Sequence, residues 1–313
     1  MNQLIIDTDP GVDDARAIML AFAHPNAHIR AITTVAGNVG VEQTTANACA
    51  LLDVLNAAPE DTPIYRGAPT GLLATQYDGA YFHGADGFGG NNFPRSARRV
   101  ESEHAVNALI RLGNEARGEL TLAAIGPLTN LALATRLDPD LPNKYKRLVV
   151  MGGTIRGMGN NRHNPSAEFN AYMDPEAMAI VLETWRDLWL VLWETTLEHP
   201  LAGAQLDALM NVQTPRGKFW AQLTRASLEF LTQRLGHPTM FFPDEIALAI
   251  AVEPEIVTKA EKHFMTAELR GEHTRGQTTV DWLNLTGEEP NVNVVLEIDT
   301  ARLFELLMAS VQG

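Results

Sequence analysis

Asp7-Thr8-Asp9-Pro10-Gly11-Val12-Asp13-Asp14-Ala15 sets four carboxylates within eight residues, directly behind a short apolar run that begins at Leu4. Such a run, bounded by polar residues, predicts a strand covered on both faces, over Leu4–Asp7. Gly11 permits a tight turn, and Asp13 and Asp14 open a helix predicted over Asp13–Ala23. A helix N-terminus favours negative charge by roughly 0.3–1 kcal/mol per group, too little to hold several converging carboxylates together. A cation resolves that repulsion, and hard oxygen ligands point to Ca²⁺ or Mg²⁺ rather than zinc. The plain alternative is a solvated loop with an aspartate N-cap.

Outward from this stretch, β-rich and helix-like runs alternate. Further strands are expected at Ile29–Val35, Glu119–Ala124, Arg147–Met151 and Leu188–Trp193. Helices are expected at Glu42–Ala57, Glu101–Arg117, Leu128–Thr135, Pro175–Thr184 and Pro215–Leu235. The alternation predicts an α/β fold with a mainly parallel central sheet flanked by helices, Rossmann-like, in one domain over residues 1–313. Polar signatures fall where strands end: Asp7–Asp14, Gly37-Asn38, Gly126-Pro127 and Met151-Gly152-Gly153. Ligands of such sheets bind beyond the carboxyl ends of the strands, so these signatures are expected on one rim. The Gly/Asn-rich stretches 78–92 and 152–164 read as long loops over it.

The formal net charge of −14 argues against a phosphate-backbone binder, since nucleic-acid affinity rests on Lys and Arg. A single cysteine, Cys49, rules out an internal disulfide and fits a reducing compartment. Asp7 and Asp9 interrupt the N-terminal apolar run too early for a signal peptide, and no apolar run approaches a membrane span. A cytoplasmic enzyme without membrane or nucleic-acid partners is expected. Nothing has the spacing of a zinc site or a Walker loop.

The opening stretch resembles the D-x-D-P-G-x-D-D-A signature of the inosine/uridine-type nucleoside hydrolases. Asp7-Thr8-Asp9 also matches the Asp-x-Asp of haloacid-dehalogenase-like phosphatases, but the later lysine and acidic pair of that family have no convincing match. Other stretches similar to the nucleoside hydrolases follow in order. They are Ile32–Asn38, His83-Gly84-Ala85-Asp86-Gly87, Gly126-Pro127-Leu128-Thr129-Asn130, Met151-Gly152-Gly153, Ala167-Glu168-Phe169-Asn170 with Asp174–Ala177, Thr274–Thr278 and Pro290–Val292. The resemblance implies the nucleoside hydrolase fold, a calcium cofactor, a ribonucleoside substrate, and assembly as a homodimer or homotetramer. It implies metal ligation by Asp9, Asp14, the Ile125 carbonyl and Asp244, and ribose binding by Asp13, Asn38, Glu168 and Asn170. On its own, Asp244 reads as the N-cap of a helix over Ile246–Ala251. A further ribose asparagine is expected before Ala167, with Asn160 the better fit and Asn161 open.

The implied reaction is attack of an activated water on C1′, with Asp9 as general base. The leaving base needs a proton, yet Pro243 stands where many relatives place a histidine before the last metal aspartate. His237 and His83 are the candidate acids, and Tyr77, Tyr81, Trp193, Phe241 and Phe242 the candidate stacking partners. The alternatives are hydrolysis of another N-riboside, or a non-catalytic ribose-binding relative.

Overall fold

Runs such as Leu4-Ile5-Ile6 alternate their side chains across the sheet, yet all three are buried, so both faces of that sheet must be covered. The computed structural model, which describes residues 2–73 and 78–312, shows how. Eight strands form the central sheet: β1 (Asn2–Thr8), β2 (Ala27–Thr34), β3 (Ile64–Arg66), β4 (Leu120–Ala124), β5 (Arg147–Met151), β6 (Leu188–Val191), β9 (Val257–His263) and β12 (Val292–Ile298). Their order is β3-β2-β1-β4-β5-β6-β12-β9, all parallel except β9 against β12. Two small antiparallel pairs lie outside it, β7 (Leu201–Ala202) with β8 (Thr239–Met240) and β10 (Met265–Ala267) with β11 (Thr278–Val280).

The covering helices are α1 (Val12–Ala23), α2 (Val41–Val54), α3 (Ala80–His83), α4 (Ala105–Glu115), α5 (Thr129–Leu137) and α6 (Phe169–Met173). They continue with α7 (Pro175–Thr184), α8 (Trp193–Glu198), α9 (Gly203–Met210), α10 (Pro215–Leu235), α11 (Pro243–Val252) and α12 (Thr300–Gln312). Leu4 and Ile6 join a core cluster with α1, α11 and α12, while Ile5 joins the cluster of α4, α5 and α7. Among the described residues no helix is long and apolar enough to cross a membrane.

Strand order runs outward in both directions from the β1–β4 pair. That reversal opens a crevice at the carboxyl ends of these strands, the place where doubly wound sheets bind ligands. The expected α/β architecture is therefore found, with local departures. The strand expected over Leu188–Trp193 stops at Val191, and Trp193 opens α8 instead. The helix expected from Glu101 begins at Ala105, where the His104 side chain accepts the Val106 N–H as N-cap. Strands β3, β9 and β12 were not anticipated. Val292–Ile298 is as apolar as the other strands, but it lies far along the chain from β6, against which it pairs.

Candidate active site

Asp9 leaves β1 at its carboxyl end and is fully buried. Its Oδ2 accepts the Asn38 backbone N–H at 2.7 Å, while its Oδ1 is buried without a hydrogen-bond partner among the described residues. Two glycines make this fit possible. A Cβ at Gly37 would lie 2.0 Å from Oδ2, and one at Gly126 would lie 2.5 Å from Oδ1. Burial and the neighbouring Asp14 charge hold the Asp9 carboxyl well above the ordinary carboxylate range.

Asp14 is the third residue of α1 and is equally buried. Its Oδ1 accepts from the Thr8 hydroxyl (2.5 Å) and the Asp9 N–H (3.2 Å). Its Oδ2 accepts from Gly11 N–H (2.9 Å) and Asn38 Nδ2 (3.0 Å), so it caps its own helix. Even so, desolvation pushes its pKa up to about 7. Asp244 stands in the first turn of α11, behind Pro243, and makes no side-chain capping bond; Phe242 is the N-cap residue. The N-cap reading of Asp244 is therefore set aside. Burial, then the charges of Asp13 and Asp14, raise its carboxyl well above the usual range.

The carboxylates that gather are Asp13, Asp14 and Asp244, with one oxygen from each within 4.8 Å of the others. Asp13, expected on the ribose, joins this cluster, and Asp9 adjoins it through its N–H, which Asp14 Oδ1 accepts. The unpartnered Asp9 Oδ1 and the mutual repulsion of these acids fit a site for a divalent cation with hard oxygen donors. The Ile125 carbonyl at the end of β4 lines the same cavity and accepts from Asn170 Nδ2 at 3.1 Å. A carbonyl has a second lone pair, so that contact leaves room for another partner.

A cavity of about 650 Å³ opens above this cluster. One wall carries Glu168, the N-cap of α6, whose carboxylate accepts the N–H groups of Gly153, Asn170 and Ala171. Burial outweighs those three bonds and lifts its pKa to about 7. Asn170 Nδ2 also reaches the Met151 carbonyl at 3.3 Å. Asn38 spends its amide on the Asp9 carbonyl and Asp14, so its remaining acceptor faces Gly79. Asn160 and Asn161 both line the cavity, with different freedom. Asn161 is committed within its own loop, to Ala167 O and to the N–H groups of His163 and Asn164. Asn160 accepts the Phe169 N–H through Oδ1, and among the described residues no hydrogen bond engages its Nδ2.

His83, at the end of α3, also lines the cavity and is buried. Its Nδ1 accepts the Val12 N–H at 3.2 Å, which puts the ring proton on Nε2 when the imidazole is neutral. Burial lowers its pKa, with Asp13 acting the other way at 3.6 Å. The other candidate acid does not share this position. His237 is exposed on the turn after α10, pairs with Thr239 at 2.8 Å, and is absent from the cavity wall.

The cavity mouth is aromatic and basic. Tyr81 and Phe82 meet Phe230 in one cluster, Phe82 edge-on and Tyr81 tilted, and Trp193 and Phe241 pack at a tilt with ring centres 6.1 Å apart. Arg162 lies 4.0 Å over the Tyr81 ring and Arg234 lies 4.8 Å over Phe230. Of the stacking candidates, Tyr81, Trp193 and Phe241 line the cavity, whereas Phe242 is buried behind it and Tyr77 lies outside the described residues. Phe82, Arg162, Phe230 and Arg234 were missed. Arg16 and Glu245 were missed too, although a lone cation in the apolar run Ala15-Arg16-Ala17-Ile18-Met19-Leu20 was a usable signal.

Residues 4–305 match the family model described as inosine-uridine preferring nucleoside hydrolase. A pyrimidine-specific ribonucleoside hydrolase, RihA of Salmonella paratyphi C, is 32% identical over 310 residues, covering 99% of this chain and 98% of that protein. An inosine-guanosine nucleoside hydrolase is 37% identical, with TM-score 0.90 over 99% of this chain and 98% of its own. The plant nucleoside hydrolase PpNRh1 is 30% identical, with TM-score 0.91 and the same coverage. Signature, switch-point site and full-length likeness agree: the chain belongs to the inosine-uridine preferring nucleoside hydrolase family, enzymes that hydrolyse the N-glycosidic bond of nucleosides.

Proposed function

We propose that this enzyme is calcium-dependent and acts on ribonucleosides, with the ribose on the acidic floor and the base in the aromatic mouth. The observation that carries this reading is the convergence of Asp13, Asp14 and Asp244 beside the unpartnered Asp9 Oδ1. Asp9, Asp14, Asp244 and the Ile125 carbonyl would hold the ion, with Asp13 reinforcing the field. A calcium ion there supplies Lewis acidity toward the attacking water and an anchor for the sugar diol.

The chain's own groups do the rest. Asp9 takes the proton of the attacking water at Oδ1, the buried oxygen with no other partner. Asp13, Asn38 and Asn170 pair with the ring hydroxyls, and Asn160 Nδ2 and Glu168 with the remaining one. The buried carboxylates stabilise the positive charge that grows on the ribosyl ring as the C–N bond lengthens. His83 would act as the acid from its imidazolium form, which Asp13 at 3.6 Å from Nδ1 favours, giving its Nε2 proton to the departing base and ending as the neutral ring, in the role that Pro243 cannot fill. Trp193, Phe241 and the Tyr81–Phe230 pair hold the base plane, and their combined aromatic surface favours purines.

The test is ribose release from a panel of purine and pyrimidine nucleosides, with and without a calcium chelator. Calcium-restorable release, fastest with purines, is expected. Binding of nucleosides without release would instead favour a non-catalytic relative. Release that survives chelation would sink the metal assignment.

A further inference from the structure

Arg16 sits two residues after Asp14, just beyond the signature that ends at Ala15. It lines the cavity, yet is only 1% exposed. Its Nε donates to Glu245 Oε1 at 2.6 Å. Its guanidinium carbon lies 5.6 Å from the Trp220 ring centre and 5.2 Å from that of Phe242. Nη1 reaches the Thr224 hydroxyl at 3.4 Å and Nη2 the Phe241 carbonyl at 3.5 Å. One planar group thus joins α1 to α10, to the turn that precedes α11, and to α11 itself. Glu245 adjoins Asp244 in the chain, is buried, and among the described residues has no hydrogen-bond partner for its Oε2.

A desolvated ion pair is a poor device for stability alone, because apolar side chains of similar volume hold helices together equally well. A guanidinium fork does something an apolar contact does not: it fixes direction as well as distance. Its two ends here are the helices that carry opposite sides of the acidic cluster. Its third contact is the helix that carries Phe230 and Arg234 on the base side.

We propose that Arg16 is a positioning residue, and that the Arg16–Glu245 clamp sets the spacing of Asp13 and Asp14 on α1 against Asp244 on α11. The inference rests on the reading of that cluster as the calcium site. Groups that orient metal ligands from behind typically change metal affinity by about 10–100-fold when replaced.

The experiment compares the parent with Arg16→Lys and with the double variant Arg16→Met/Glu245→Met, which leaves no lone buried charge. Calcium dissociation constants are measured by calorimetry, folding by thermal melts in chelator, and the calcium concentration for half-maximal inosine hydrolysis by ribose release. The double variant is expected to melt within a few degrees of the parent while calcium binding weakens about 10–100-fold. The half-maximal calcium concentration should rise by the same factor. Arg16→Lys, which keeps the ion pair and loses the fork, is expected to fall between the two. A folded double variant with parental calcium affinity overturns the proposal. If the double variant fails to fold, parental calcium affinity in folded Arg16→Lys does the same. Absence of calcium binding by the parent would instead defeat the calcium-site reading itself, separately from the role of Arg16.

Discussion

At the cavity floor and just beneath it, Asp9, Asp14, Glu168 and Asn170 are buried and each is held by hydrogen bonds to backbone groups. At the mouth, Tyr81, Phe82, Phe230, Trp193 and Phe241 meet mainly through ring faces and edges, with arginines laid across them. Hydrogen-bond networks in a desolvated setting tolerate little change, because each lost partner strands another polar group. Ring contacts are less directional, and substitutions there alter fit before they alter folding. On the proposed reading, sugar and nucleophile belong to the floor and substrate choice to the mouth.

The largest effect expected at the floor is from Asp9→Asn. Loss of the general base together with a metal-facing charge should lower kcat for inosine by about a thousand-fold or more, with the fold intact by circular dichroism. A loss under about tenfold would remove Asp9 from the chemistry. His83 lies where floor and mouth meet. His83→Ala should lower kcat on inosine by about a hundred-fold and barely change turnover of an activated nitrophenyl riboside, whose leaving group needs no proton. Equal losses on both substrates would refute the acid role.

At the mouth itself, Trp193→Ala or Phe230→Ala should raise KM for purine nucleosides about 3–10-fold, the worth of one lost aromatic contact of about 0.5–1.5 kcal/mol, with kcat nearly kept. A smaller effect separates the regions by pH. Asp14 and Glu168 have folded pKa values near 7, above their unfolded values, so the folded form holds extra protons between roughly pH 4 and pH 7. Their stabilisation is complete below the unfolded pKa and is lost as pH rises through the folded one. The chelated protein should therefore melt several degrees lower at pH 7.5 than at pH 5.5, and calcium should abolish most of that difference. A chelated melting temperature that climbs over this range would contradict the buried acidic floor. The smallest effect is at His237, outside the cavity: His237→Ala should leave kcat/KM for inosine within about twofold.

How legible each region was follows from how it is built. The floor is carried by short segments at strand ends and at the start of α6, so Asp7–Ala15, Gly37-Asn38 and Ala167–Asn170 could be read along the chain as units. The Gly37 and Gly126 positions also left a trace, since only glycine lets the Asp9 carboxylate approach so closely. The mouth left no comparable pattern. Phe230, Leu231 and Arg234 face the cavity because of how α10 is rolled, and an aromatic on a helix looks the same in sequence whether it faces core, solvent or substrate. His237 and His83 were equal candidates by residue type, and only their placement separated them.

Sequence alone determined the alternating α/β pattern, the family, and the set of acids at the end of the first strand, because periodicity and local turn chemistry are written in consecutive residues. Only the tertiary structure showed that Asp13 gathers with Asp14 and Asp244, that the Asn161 amide is tied to the Ala167 carbonyl while Asn160 accepts the Phe169 N–H, and that Arg16 on α1 pairs with Glu245 on α11. Those outcomes depend on the directions of side chains brought together from distant segments, which are set by packing of the whole chain.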